Sequence, residues 1–191
     1  MKYIFDMDGT LIDSMPAYCG AMINFLKRNN VEYPDNIMKI ITPLGYNGSA
    51  EYFIKEFGVK KEFNEIIEEF KNDMLYEYTN TIPAKPFVEE TLKRLKKEGV
   101  GLNVLTASPH CTLDPCLKRL GLYDLFDNVW SSEDFGLTKS DVNIYYQAAE
   151  KLGAETKDCI FLDDNYNAIL TAKEAGMHVY GVFDESSSDY T

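Results

Sequence analysis

From Phe87 onward the chain alternates short apolar runs with amphipathic stretches that close on glycine, and this alternation restricts the fold more than any other feature. Tyr3–Phe5, Leu102–Leu105, Asn128–Trp130, Cys159–Leu162 and His178–Val182 read as strands. Between the later ones lie helical patterns. Phe87, Thr91, Leu92 and Leu95 share a face, acidic residues open that helix, Lys96 and Lys97 close it, and Gly99 follows as its stop. Leu113, Leu117 and Leu120 precede Gly121. Val142, Tyr145, Ala149 and Leu152 precede Gly153, and Ala168, Ala172 and Ala175 precede Gly176. Strands separated by helices pair in parallel, with helices over both faces. The expected architecture is a three-layer, Rossmann-like α/β fold.

The first apolar run ends in Asp6-Met7-Asp8-Gly9-Thr10. A strand with that sequence sets two carboxylates side by side where the chain leaves the sheet, the edge at which open α/β sheets bind ligands. There, one carboxylate can hold a metal and attack phosphorus while the other moves a proton. Aspartates also cap helices and start turns. A calcium loop of the EF-hand type is excluded, because its glycine stands at the sixth position and Gly9 is the fourth residue here.

Residues 14–84 interrupt the alternation and are too long for one crossover helix. Pro16 suits a first helical turn, with Tyr18, Met22, Phe25 and Leu26 on one face. Phe63, Ile66, Ile67, Phe70, Met74 and Tyr78 repeat the pattern, and Pro83 and Pro86 mark the return to the sheet. The reading is a core of residues 1–13 and 85–191 with a small helical cap of residues 14–84. The stretch Thr42–Ser49 reads as a cap loop in which Gly45, Tyr46 and Asn47 contact substrate.

Composition narrows the partners. The net charge of −12 disfavours nucleic acid and anionic membrane surfaces. No apolar stretch approaches the ~20 residues of a membrane helix. Cys19, Cys111, Cys116 and Cys159 form no Cys-x-x-Cys pair, and with only two histidines a zinc site is disfavoured. Scattered thiols and the lack of a hydrophobic export segment point to a cytoplasmic protein. A monomer or weak dimer is expected. The polar end, Glu185 to Thr191, is expected to fray.

Three further signals fall at strand ends. Thr106 places a hydroxyl where the second strand ends, and Ser108 before Pro109 reads as a helix N-cap. Lys139 follows a Gly-Leu-Thr loop and precedes a helix expected near Ser140. Asp163-Asp164 closes the fourth strand. Adjacent like charges cost stability unless a cation or proton offsets them, and magnesium favours such oxygen-only sites.

With these four segments in order, the chain resembles the haloacid dehalogenase superfamily, in its phosphatase branch with a helical cap. Phe5-Asp6-Met7-Asp8-Gly9-Thr10-Leu11 through Asp13-Ser14 carries the first signature, Thr106 the second, Lys139 the third and Asp163-Asp164 the fourth. The resemblance implies a parallel sheet ordered 3-2-1-4-5. It implies Asp6 as nucleophile, Asp8 as general acid and base, and Mg2+ held by Asp6, the Asp8 carbonyl and Asp164. Asp163 either binds the metal, directly or through water, or orients Lys139. Thr106 and Lys139 would hold phosphoryl oxygens, with backbone N–H groups after Asp6 and near Ala107 completing the cradle and Gly9, Thr10, Ala107 and Ser108 binding substrate. Ser140 stands where many relatives have proline. His110 is either a polar loop side chain or a substrate contact. The implied activity is hydrolysis of a small phosphorylated metabolite. Two alternatives remain: a sugar-phosphate mutase, disfavoured because Thr42–Ser49 carries no basic residue, and a phosphate-sensing binding protein, disfavoured because Asp6 and Asp8 are both present.

Overall fold

A computed structural model describes residues 1–185; of the end expected to fray, Glu185 to Thr191, residues 186–191 lie outside the described residues. The chain divides into two compact units, one of residues 1–13 with those from Ile82 onward, the other Ser14–Thr81.

The first unit is built on five parallel strands. They are β1 (Lys2–Phe5), β2 (Gly101–Thr106), β3 (Asn128–Ser131), β4 (Cys159–Asp163) and β5 (His178–Gly181), in the order β3-β2-β1-β4-β5. The expected fold class and strand order are both observed. Phe5 pairs with Val104 on one side and Leu162 on the other, Thr106 pairs with Ser131, and Asp163 pairs with Gly181. All five strands therefore end on one edge. The chain winds outward from β1 through β2 to β3, then crosses back to β4, so β1 and β4 flank the reversal of winding that opens a crevice in such sheets. Buried Ile4, Leu105 and Phe161 form the core with Tyr145 and with Ala168, Ala172 and Ala175. The alanines let the helix that follows β4 approach the sheet closely, and Tyr145 meets Phe161 edge to face at 5.1 Å.

The second unit packs α1 (Met15–Arg28), α2 (Ile37–Ile41), α3 (Gly45–Glu56) and α4 (Phe63–Asn80) around Phe25, Phe53 and Phe70. Pro16 stands in the first turn of α1, and Lys27 and Arg28 complement the dipole at its end. Arg28 also reaches across to Asp73 at 2.7 Å and Glu69 at 3.4 Å on α4.

Two expectations need correction here. Leu44–Ser49 is not a loop: Thr42–Leu44 forms a short 3-10 turn and α3 begins at Gly45. Tertiary contacts make the helix despite its glycines. The Tyr46 ring stacks on Tyr18 at 4.1 Å, and the Tyr46 N–H, in the first turn of the helix, donates to the Tyr18 hydroxyl at 3.0 Å. Ser49 Oγ donates to the Ile41 carbonyl at 3.2 Å. Tyr46 is thus a packing residue of its own unit, tilted also against Phe70. The second correction concerns Phe87, which does not share the core face of the next helix. It precedes α5 (Val88–Lys97) in the left-handed conformation, φ +66°, with its ring 78% exposed. Its carbonyl accepts the first helical bond from Thr91 while its positive φ turns the side chain outward.

Tyr46→Ala should lower stability by about 2 kcal/mol, because stacked aromatic area is lost from a packed cluster. Urea unfolding followed by circular dichroism checks this, and a midpoint equal to that of the parent protein would contradict the packing role.

Candidate active site

β1 supplies Asp6, whose N–H extends the ladder to the Leu162 carbonyl at 2.8 Å. Alternation along the strand buries Met7 and leaves Asp6 and Asp8 on the opposite side. The chain then folds into a tight turn, with Leu11 N donating to Met7 O at 2.8 Å and Gly9 N to Ile12 O at 3.0 Å. Gly9 has φ +75°, and a Cβ there would stand 2.6 Å from Asp164 Oδ2. Only glycine permits the turn and the approach of Asp164 together. Thr10 N also donates within the turn, to Met7 O at 3.3 Å. The amides of Gly9 and Thr10 thus both bond within the turn. The Thr10 hydroxyl is buried and has no hydrogen-bond partner among the described residues.

β4 supplies Asp163 and Asp164. Asp163 Oδ1 accepts from Asn165 N at 2.7 Å, and Asn165 caps α8 (Tyr166–Glu174) by accepting from Ala168 N at 3.1 Å. Asp163 Oδ2 accepts from Lys139 Nζ at 2.8 Å, and the same ammonium donates to Asp6 Oδ1. Lys139 lies in the turn before α7 (Asn143–Lys151), not at the helix start near Ser140 that its sequence suggested. The start of α7 is held instead by Asp141 Oδ1, which accepts from Asn143 N at 2.9 Å. The Lys139 carbonyl accepts from the buried Tyr145 hydroxyl at 2.9 Å.

Thr106 ends β2, buried, and its Oγ1 accepts from Ser108 N at 3.1 Å while keeping a proton to donate. Ser108 is not a helix cap: α6 (His110–Arg119) takes Pro109 as its N-cap residue. The Ser108 hydroxyl instead donates to Asp8 Oδ2 at 2.6 Å. Ala107 stands exposed between them.

The structure thus brings Asp6, Asp163 and Lys139 together, with Asp164 against Gly9 and with Asp8 held by Ser108. Gly45, Tyr46 and Asn47 belong to the other unit and to its α3 helix. Three supports were not read from the sequence: the Ser108–Asp8 bond, the Tyr145 hydroxyl under Lys139, and Lys85. Lys85 Nζ donates to the Gly9 carbonyl at 2.6 Å, to Asp184 Oδ2 at 2.8 Å and to Phe183 O at 3.0 Å. A lysine beside Pro86 carries no pattern that would single it out from a solvated one.

The electrostatics follow from burial. Burial pushes the Asp6 carboxyl well above the ordinary carboxylate range; Lys139 opposes this, while Asp163 and Asp8 add to it. Burial works against the charge on Lys139, but Asp6 and Asp163 outweigh it and hold the ammonium above its ordinary value. One ammonium therefore serves two buried carboxylates, and the balance is negative. Asp6, Asp163 and Asp164 each offer an oxygen within 4.8 Å of the others. An all-oxygen set of this charge suits a hard divalent cation.

Known proteins resemble this chain over most of its length. A family model described as haloacid dehalogenase-like hydrolase matches residues 3–176. Hexitol phosphatase B of Escherichia coli K12 is 29% identical over 188 residues, covering 91% of this chain and 79% of that protein. The phosphoglycolate phosphatase of Haemophilus influenzae strain 86-028NP is 28% identical over 189 residues, covering 93% and 83%. Among solved structures, a Thermotoga maritima protein assigned as a beta-phosphoglucomutase superposes with a TM-score of 0.86 at 22% identity, covering all of this chain and 91% of that one. At that identity it shows a shared fold alone.

Lys139→Met should cost about 3–5 kcal/mol at neutral pH, since it leaves Asp6 and Asp163 buried without their counter-charge. In the variant the Asp6 carboxyl, which burial already raises, loses the ammonium that opposes the rise. The penalty is therefore absent at a pH below the unfolded-state value of Asp6 and grows as pH rises from there towards the folded-state one. Urea unfolding in chelator at several pH values checks the sign, and a pH-independent deficit would contradict the pairing.

Proposed function

Because the chain belongs to the haloacid dehalogenase-like hydrolase family, we propose that it is a magnesium-dependent phosphatase that hydrolyses a small phosphomonoester through an aspartyl phosphate. The observation that carries this reading is the meeting of Asp6 and Asp163 on one lysine, with Asp8 held separately by a serine. The relatives named for hexitol and phosphoglycolate dephosphorylation support a small phosphorylated metabolite as substrate. No helix of the described residues is long and apolar enough to cross a membrane.

Asp6, Asp163 and Asp164 would hold the cation, and the donor chemistry fits magnesium. When bound, it would offset the repulsion between the Asp6 carboxylate and a phosphate dianion. The remaining chemistry belongs to the chain. Asp6 attacks phosphorus, the bond from phosphorus to the ester oxygen breaks, and Asp8 gives that oxygen its proton. Ser108 keeps the Asp8 carboxyl from rotating away, because its hydroxyl donates to Oδ2. Lys139 and the Thr106 hydroxyl stabilise charge on the phosphoryl oxygens. Asp8, now ionised, takes a proton from water as that water attacks the aspartyl phosphate. Inorganic phosphate leaves, and Asp6 is restored.

Asp6→Asn should lower phosphate release from a panel of phosphomonoesters by about a thousandfold or more while preserving the circular dichroism spectrum. Excess EDTA should abolish activity and magnesium should restore it; full turnover in EDTA would refute the metal dependence. Interconversion of sugar phosphates with little phosphate release would instead favour a mutase.

Asp8→Asn should slow single-turnover phosphorylation by benzyl phosphate about a hundredfold, and by p-nitrophenyl phosphate far less, because a stabilised phenolate needs no proton to leave. Equal losses would contradict the role of Asp8.

A further inference from the structure

The segment from Thr106 to His110 is fastened at three points. Thr106 Oγ1 accepts from Ser108 N at 3.1 Å, and Ser108 Oγ donates to Asp8 Oδ2 at 2.6 Å. The third point is the His110 ring, which opens α6 and lies between two carboxylates. Its Nδ1 is 2.9 Å from Asp114 Oδ1 on the same helix, and its Nε2 is 2.9 Å from Asp134 Oδ2 in the turn after β3.

Asp134 is itself fixed. Its Oδ2 accepts from Ser131 N at 3.0 Å, and Ser131 Oγ accepts from Glu133 N at 3.3 Å. Ser131 is the residue paired with Thr106 across β2 and β3. The contacts therefore close a ring from Thr106 through Ser108 and His110 to Asp134 and Ser131, and back through the sheet. A neutral imidazole has one N–H and one lone pair, so between two carboxylates it can bond only one and repels the other. An imidazolium bonds both. The charged groups facing the ring are Asp114 and Asp134, whose bonds raise its titration from the ordinary histidine value against the opposing effect of burial.

We infer that His110 is a positioning residue: as an imidazolium clamped between Asp114 and Asp134, it holds the loop that keeps Ser108 Oγ on Asp8. This rests on the reading of Asp8 as proton donor given above. His110 need not touch substrate. Its ring is 41% exposed, and solvent screens both ion pairs, so its loss leaves the fold intact. What changes is the freedom of the Ser108 loop, and with it the aim of the Asp8 carboxyl.

Two readouts test this. The chain has two histidines, His110 and His178, so His178→Gln assigns their ring signals by NMR. His110 should titrate above an ordinary histidine, and Asp134→Asn should lower its midpoint by about one pH unit. An ordinary midpoint unmoved by Asp134→Asn overturns the clamp. In single-turnover phosphorylation, His110→Phe should slow benzyl phosphate about tenfold and p-nitrophenyl phosphate less than about twofold. The parent rate with benzyl phosphate should decline as pH rises through the His110 titration. That decline should vanish in His110→Phe, and in His110→Arg, which keeps a cation between the carboxylates and restores the rate. Equal losses on both esters, or a decline that persists in His110→Phe, overturns the inference. Asp8→Asn run in parallel separates the two levels. If it shows the leaving-group bias and His110→Phe does not, the inference fails alone. If neither shows it, the reading of Asp8 fails and the inference falls with it.

Discussion

One ammonium between two buried carboxylates organises the rest of this protein. Lys139 meets Asp6 and Asp163 where β1 and β4 end side by side. Neither acid tolerates burial alone, and the lysine could not stay charged there without them. The three groups are therefore interdependent, and the surrounding structure limits their movement. The Tyr145 hydroxyl holds the Lys139 carbonyl from below, and Asn165 N takes the free oxygen of Asp163. The winding reversal of the sheet turns two distant segments of sequence into neighbours, and one lysine makes that proximity stable.

Asp8 is supported in a different way. It sits past the end of β1, on a turn that closes through Met7 and Ile12, and its Oδ2 is tied to the Ser108 hydroxyl. Two aspartates one residue apart thus have different environments. Asp6 is buried among charges, while Asp8 is partly exposed and bonded to a neutral hydroxyl. That division is what the proposed roles of nucleophile and proton carrier require. Lys85 ties the Gly9 carbonyl to Asp184 beyond β5, so the loop carrying Asp8 is anchored to the far end of the chain's described part.

Much of this was legible in the sequence, for a physical reason. A parallel sheet needs apolar runs, helices need terminating glycines, and charges at strand ends stand out against apolar neighbours. Asp6, Asp8, Lys139, Asp163 and Asp164 were therefore visible as candidates, as was the strand order once the family resemblance was drawn. What was illegible depends on side chains distant in sequence. Nothing near Ser108 says that its hydroxyl finds Asp8 a hundred residues away rather than its own helix. Leu44–Ser49 reads as a loop because two glycines and an asparagine lack helix propensity, yet the Tyr18 ring and hydroxyl supply what the local sequence lacks. Phe87 looked apolar and core-facing because periodicity cannot see a left-handed backbone.

The junction of the two units has a consequence for how such a chain can change. Ile12 pairs with Ala84, Asp13 N donates to Pro83 O at 3.0 Å, and Lys85 N to Leu11 O at 3.0 Å, so the chain departs and returns at one paired spot. For the sheet unit, the whole intervening segment is equivalent to a long hairpin loop, and the entropy of closing it grows only slowly with its length. The insert is thus a cassette: descent can lengthen, shorten or exchange it without altering a single strand register. The inserted unit can diverge quickly while the sheet edge that carries Asp6, Asp163 and Lys139 stays as it is.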